Sequence, residues 1–218
     1  MKTELFTVNP LEENTYVVSD ESGEAVIIDC GCFAESEWRQ IRDYIEQNGL
    51  HVSHLLNTHL HFDHTLGNRF ALRDYGLRTE ASAADAYLYE GMWKQMALMM
   101  GERLANHFDV AFSKEMGPTL QDGDRVTFGQ TVLEVIATPG HTPGGLCFYN
   151  REAGVLFSGD SLFMGSIGRT DLEGGNYASL VSSLSERIMT LPPTTVVYTG
   201  HGPATTIEHE LNFNPYLT

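Results

Sequence analysis

Positive charge is scarce in this chain of 218 residues. Thirteen Lys and Arg stand against twenty-nine Asp and Glu, a formal net charge of −16, so the field of the whole molecule repels nucleic acid and anionic lipid surfaces. A nucleic-acid partner is therefore not expected. Cysteine is scarce too: Cys30, Cys32 and Cys147 are an odd number, and two of them are separated by one residue. That excludes a disulfide framework and suits a reducing compartment, with the cytoplasm as the expected location. No apolar run is long enough to span a bilayer, and Glu4 and Asn9 interrupt the beginning, so neither a signal peptide nor a membrane association is expected. A Pro/Ser-rich linker and a fixed-period repeat are also missing, which points to one domain over residues 1–218. The lack of a Gly-x-Ser-x-Gly elbow argues against a serine hydrolase.

What is present is a series of short β-branched and apolar runs bounded by Gly, Pro and Asn. Residues 4–8, 15–19, 25–28, 52–57, 131–138, 146–149, 155–157 and 195–198 read as strands. Two helical patterns interrupt them. Residues 35–48 place Trp38, Ile41, Tyr44 and Ile45 on one face and stop at Gly49; residues 176–189 do the same with Leu180, Leu184 and Ile188 and stop before Pro192. Strand pairs of hairpin type mixed with helices suggest α/β layers rather than a simple parallel series.

Residues 83–116 are unusually rich in Met and aromatics, including Tyr87, Met92, Trp93, Met96, Met99 and Met100. They read as one or two helices apolar around much of their circumference. Core packing is the favoured role; a lid over a substrate or a homodimer face is the alternative.

The densest chemistry lies at His59-Leu60-His61-Phe62-Asp63-His64, four potential metal ligands in six residues, just after the strand of residues 52–57. Imidazole and carboxylate suit zinc, iron and related metals, and one loop could serve two adjacent ions. Six residues cannot complete two coordination spheres, so further ligands must come from elsewhere. His141, Asp160 and His201 each follow an apolar strand and a glycine, where the backbone can turn sharply and approach an ion. Asp29 ends a strand in the same way and is expected to orient one of the histidines. His51, His54, His107 and His209 lack such a setting and are expected to be bystanders, and Cys30 and Cys32 to be buried inert thiols.

With His-x-His-x-Asp-His at 59–64, Pro-Gly-His-Thr-Pro-Gly at 139–144, Ser-Gly-Asp-Ser at 158–161 and Gly-His-Gly-Pro at 200–203, the sequence resembles the metallo-β-lactamase-fold hydrolases over nearly its whole length. Gly168-Arg-Thr-Asp171 and Asn214-Pro-Tyr-Leu217 are similar to the short glyoxalase II-like (hydroxyacylglutathione hydrolase-like) branch. The resemblance implies an α/β fold, a four-layer αβ/βα sandwich with its metals at one edge of two sheets. It implies two divalent ions, zinc first, with iron or manganese as alternatives. His59, His61 and His141 would hold one ion, Asp63, His64 and His201 the other, and Asp160 would bridge them.

The activity implied is hydrolysis of a small-molecule thioester by a hydroxide shared between the metals, with Asp63 orienting or deprotonating the water. A thiolate leaves with little help because a thiol's pKa is about 8.5, which ranks thioesters and lactones above amides. Arg169 and Lys114 are the cations placed to receive an anionic part of the substrate, although Arg169 can equally pair with Asp171. Alternatives are a persulfide dioxygenase-like enzyme holding one iron on His59, His141 and Asp160, an acyl-lactone hydrolase, and a metal-binding module without activity.

Overall fold

The structure is a computed structural model that describes residues 1–106 and 116–217. A first sheet is built from β1 (Lys2–Val8), β2 (Glu13–Ser19), β3 (Glu24–Ile28), β4 (His51–Leu56), β5 (Thr79–Ala81) and β6 (Met116–Thr119), in that spatial order. β1 to β3 pair antiparallel and β3 to β6 parallel. The parallel half needs crossovers. Helix α1 (Glu35–Gln47) supplies one; the short α2 (Phe62–Thr65) and α3 (Asn68–Tyr75) supply the next.

The second sheet holds β7 (Arg125–Phe128), β8 (Thr131–Ala137), β9 (Leu146–Asn150), β10 (Val155–Gly159), β13 (Val196–Thr199) and β14 (Thr205–Thr206), in the order β14-β13-β10-β9-β8-β7. The two-residue strands β11 (Leu162–Phe163) and β12 (Ser166–Ile167) form a separate small hairpin. Only β10 and β13 run parallel in this sheet, joined by a crossover through α7 (Tyr177–Ser183); α8 (Ile207–Phe213) follows β14.

Alternation along the strands creates three apolar layers. Tyr16, Val18, Val26 and Ile28 face inward and meet Leu133, Val135, Phe148 and Phe157 of the other sheet. Their neighbours Val17, Ala25 and Ile27 face outward onto Trp38, Ile41 and Ile45 of α1 and Phe70 of α3. On the far side Cys147, Tyr149, Leu156 and Val197 pack on Leu180, Leu184, Ile188 and Ile207. The stack is therefore helix, sheet, sheet, helix, the four-layer α/β sandwich expected; central strands such as β2 and β9 are buried on both faces, whereas the edge strands β1 and β7 keep exposed positions.

All eight strands read from the sequence are present. The helix expected over residues 176–189 is regular only to Ser183; residues 184–188 widen into a π-helical turn, which still keeps Leu184 and Ile188 buried. The short strands β5, β6 and β7 and the helices α3 and α8 were not anticipated; three- and four-residue strands are too brief for a periodicity to show.

In residues 83–116 the chain makes a single turn at Ala83–Asp85, then α4 (Ala86–Glu90), α5 (Met92–Met100) and α6 (Glu102–Ala105). Leu88, Tyr89, Met92 and Met96 pack with Leu60, Phe62 and Leu66 in a fourth apolar cluster, whereas Leu98 and Met99 are exposed. Among the described residues, no helix is long and apolar enough to cross a membrane.

Candidate metal centre

The centre forms where strand ends converge. β4 ends at Leu56, and Asn57-Thr58 lead to His59-Leu60-His61, with His61 extended at φ −65°, ψ 150° just before α2. Alternation sends both imidazoles one way and Leu60 into the apolar cluster beneath. At Phe62 the chain enters α2, which carries Asp63 and His64 at consecutive positions of a helical turn; the His64 ring lies 4.1 Å from that of His59, centroid to centroid, so one short segment supplies four of the clustered side chains.

His141 follows β8, Asp160 follows β10 and His201 follows β13. At each of these the preceding glycine is obligatory: Gly159 has φ +48° and lies against the Thr58 side chain. Gly140 has φ +145° and lies against the Leu180 backbone; Gly200 leaves the space that the Asp160 carboxylate and the His64 ring occupy. A side chain at any of these positions would collide with the centre or its support.

The structure brings all seven expected residues together. His59, His61 and His141 form one group, Asp63, His64 and His201 a second, and Asp160 joins His59 and His64 in a third, with the donor atoms in each group within 4.8 Å of one another. Asp160 lies between the first two groups: Oδ1 is 3.3 Å from His64 Nε2, and Oδ2 is 3.6 Å from His141 Nε2 and 3.8 Å from His201 Nε2.

Four of the five rings are fixed from behind, His59 through Nδ1 at 3.1 Å from the Thr58 hydroxyl. His64 Nδ1 is 3.0 Å from Asp29 Oδ2, His141 Nδ1 donates to the Arg169 carbonyl at 2.7 Å, and His201 Nδ1 donates to the Leu11 carbonyl at 3.0 Å. A carbonyl only accepts, so the proton sits on Nδ1 and Nε2 of these last two faces the centre. His61 differs, presenting Nδ1 to His141 Nε2 at 2.9 Å. Asp29 sits in the left-handed region at φ +50° and also accepts from the Thr58 amide at 2.8 Å and the Thr58 hydroxyl at 2.7 Å. That second role orders the start of the histidine loop.

His59 Nε2, His64 Nε2 and Asp160 Oδ1 are buried without a hydrogen-bond partner. Leaving one such atom unsatisfied costs about 1–3 kcal/mol, and here three of them converge. Bound cations would satisfy them, and the imidazole and carboxylate donor set suits divalent metals.

The electrostatics divide the imidazoles: His59 and His61 are held neutral, whereas neighbouring carboxylates favour the protonated forms of His64 and His201, whose proton a bound metal would displace. Burial, reinforced by His64, His61 and His141, pushes His59 well below the usual imidazole range; burial and His141 lower His61 to about 4. Both rings are thus neutral at pH 7, with lone pairs available. Burial opposes charge on His64, but Asp160, Asp29 and Asp63 outweigh it and raise its pKa well above the ordinary value. Burial likewise opposes ionisation of Asp160, yet the surrounding imidazoles, His64 first, hold its carboxyl well below the normal range.

Arg169 lines the cavity above the centre, and its guanidinium pairs with Asp171 at 2.7 and 2.8 Å. Lys114 and His107 lie outside the described residues. His51 pairs with Glu24 and His54 with Glu80, away from the centre. Cys30 and Cys32 are buried in the helix-side layer.

Sequence reasoning missed several supports. Asp85, fully buried, accepts from the Thr142 hydroxyl and the Gly144 amide, both at 2.7 Å, and so holds the loop carrying His141. Asn9 ties the Gly31 and Asp63 carbonyls together, and Asn57 binds the His64 carbonyl at 2.8 Å. Asn57-Thr58, polar residues between an apolar strand and the histidines, carried a usable signal. The carbonyls of Leu11 and Arg169 carried none, since every residue has one.

The cavity, about 130 Å³, has His61, Asp63, His141 and Asp160 at its base, and its walls come from the β1–β2 turn, α2, α4, α5 and the segment after β12.

Residues 8–201 match the family model of the metallo-beta-lactamase superfamily. The chain is 36% identical to the "Probable metallo-hydrolase YqgX" of Bacillus subtilis, over 100% of this chain and 98% of the relative. It is 32% identical to the hydroxyacylglutathione hydrolase GloC of Haemophilus influenzae, over 100% and 98%. Among solved structures, the BLEG-1 B3 metallo-beta-lactamase superposes with a TM-score of 0.88 at 32% identity, covering 100% of both chains. TTHA1623 in a di-iron-bound form gives 0.79 at 36% identity, covering 98% and 100%.

Proposed function

The chain belongs to the metallo-beta-lactamase superfamily, and on that premise we propose that it is a binuclear metal-dependent hydrolase of thioesters acting in the cytoplasm. The observation that carries the reading is the convergence of unpartnered buried donors, His59 Nε2, His64 Nε2 and Asp160 Oδ1, between two complete ligand triads. His59, His61 and His141 would hold one ion, Asp63, His64 and His201 the other, with Asp160 shared. Zinc is the first choice and iron the second; the di-iron form of TTHA1623 supports the latter. Two divalent ions supply a nucleophile at pH 7 by lowering the pKa of a shared water to near neutrality.

The chain's own residues do the rest. Asp63 faces the cavity, and although burial opposes its charge, His64 and His201 keep the carboxyl below its ordinary value. It is an acceptor that orients a water proton. Backbone carbonyls hold the Nδ1 protons of His141 and His201, so neither ring can turn its bare nitrogen away. Three buried thiols without a disulfide suit a reducing compartment. A thiolate leaving group needs little protonation, and the name of the Haemophilus relative points to the same bond type.

Elemental analysis of protein purified without added metal, run beside thioester, lactone and S-lactoylglutathione hydrolysis, tests the reading. About two ions per chain with thioester turnover is expected. One iron per chain, with oxygen consumption on glutathione persulfide and no hydrolysis, would replace it with the dioxygenase reading. Preference for lactones would move it to a lactonase, and metal without turnover on any of these would leave a binding module.

A further inference from the structure

The walls of the cavity carry information that the metal ligands do not. Above the polar base they are apolar: Leu11, Phe62, Leu88, Leu98, Met99 and Leu172 line it. Leu98 is 75% exposed and Met99 44%, on the same helix whose Met92 and Met96 are buried in the cluster below. Scattered exposed apolar residues need no explanation. These two are different because they continue an apolar wall directly over a candidate reaction centre.

The remaining lining groups are polar but already engaged. Gln95 accepts from the Phe62 amide at 3.2 Å and donates to the Leu88 carbonyl at 2.6 Å, spending both ends of its amide. Lys94 pairs with Glu173 at 3.0 Å, and Arg169 pairs with Asp171. Exposed ion pairs break at little cost, so the pairs themselves do not bar a ligand. The sign of the charge does: Glu173, which lines the cavity, and Asp171, just behind the lining, each stand beside one of the two cations, so the two pairs together carry no net positive charge. A thiol carrier such as glutathione has two carboxylates and one ammonium, and the whole chain, at −16, does not help to collect it.

Resting on the hydrolase reading above, we infer that the cavity holds the acyl side of the substrate and that this acyl group is an uncharged, apolar chain. The polar thiol portion then points out of the mouth toward solvent, where its charges stay hydrated. Specificity lies in Leu98, Met99 and Leu172 rather than in Arg169.

The test uses the full chain loaded with metal and a series of thioesters of N-acetylcysteamine, an uncharged thiol, with acetyl, butanoyl and hexanoyl groups, beside S-lactoylglutathione. A fully buried methylene can contribute up to about fourfold. In this open cavity kcat/KM should rise about tenfold or more from acetyl to hexanoyl, and hexanoyl should exceed S-lactoylglutathione. Leu98→Gln, at an exposed helical position with a good helix former, should cut the hexanoyl-to-acetyl ratio to about two while leaving the Tm unchanged. A flat or falling series, or S-lactoylglutathione as the best substrate, overturns the inference and leaves the hydrolase standing. If no thioester is cleaved, the hydrolase reading falls on its own. Calorimetry with the matching non-hydrolysable acyl amides on metal-free protein then decides the cavity: affinity rising with chain length supports the apolar acyl site, and equal affinities overturn it.

Discussion

The metal centre and the α4–α5 wall touch the same cavity, yet they are constructed on opposite principles. In the centre four of the five imidazoles have a hydrogen bond behind them, from Asp29, Thr58 or a backbone carbonyl, and most of the residues are polar and buried. In the wall Met92 and Met96 are held by packing alone, and Leu98 and Met99 are exposed. A ligand position admits one donor atom at one angle, whereas an apolar wall accepts any side chain of similar volume. Chemistry is therefore expected to be concentrated in the first region and selectivity in the second.

The comparison is tested hardest by Asp160→Asn. Losing the shared carboxylate should lower kcat by about 10³-fold or more, the equivalent of several kcal/mol of charge stabilisation, and reduce bound metal from two ions to one or none by elemental analysis. Full activity would dismantle the assignment. Met96→Ala probes the other region: emptying a fully buried site should cost about 2–5 kcal/mol of stability in denaturant titration, with metal content unchanged. Metal loss there would show that the regions are not independent.

Asp29→Ala sharpens the division within the centre. His64 would lose its Nδ1 partner and Thr58 its acceptor, so metal affinity should fall about 10–100-fold in a chelator competition, less than for a ligand itself. The smallest effect belongs to a histidine outside both regions. His54 has its pKa raised by the Glu80 hydrogen bond, with burial opposing, so its contribution is fully present below the unfolded value of about 6.5 and fades as pH rises through the higher folded value. His54→Gln should cost at most about 1 kcal/mol at pH 6, discounted because the pair is partly exposed, and the difference in Tm from the parent should close at alkaline pH.

Much of this was legible in the one-dimensional pattern. Strands such as Ala25–Ile28 and Val155–Phe157 announce themselves because a strand buried on both faces is a continuous apolar run. The candidate ligands announce themselves because three histidines and an aspartate in six residues have no packing use. Asp85 did not: a lone aspartate in a Met-rich segment resembles any surface carboxylate, and only the fold brings it to Thr142 and Gly144, more than fifty residues away.

Residue type and spacing thus determined by themselves the layered α/β class and singled out the seven side chains that the fold brings together, because periodicity and donor chemistry are local properties. Which nitrogen each ring presents, what supports it from behind and which side chains stand over the centre were decided by tertiary structure alone. Those depend on distances between strand ends and on backbone carbonyls, and a backbone carbonyl is the same in every residue until the fold places it.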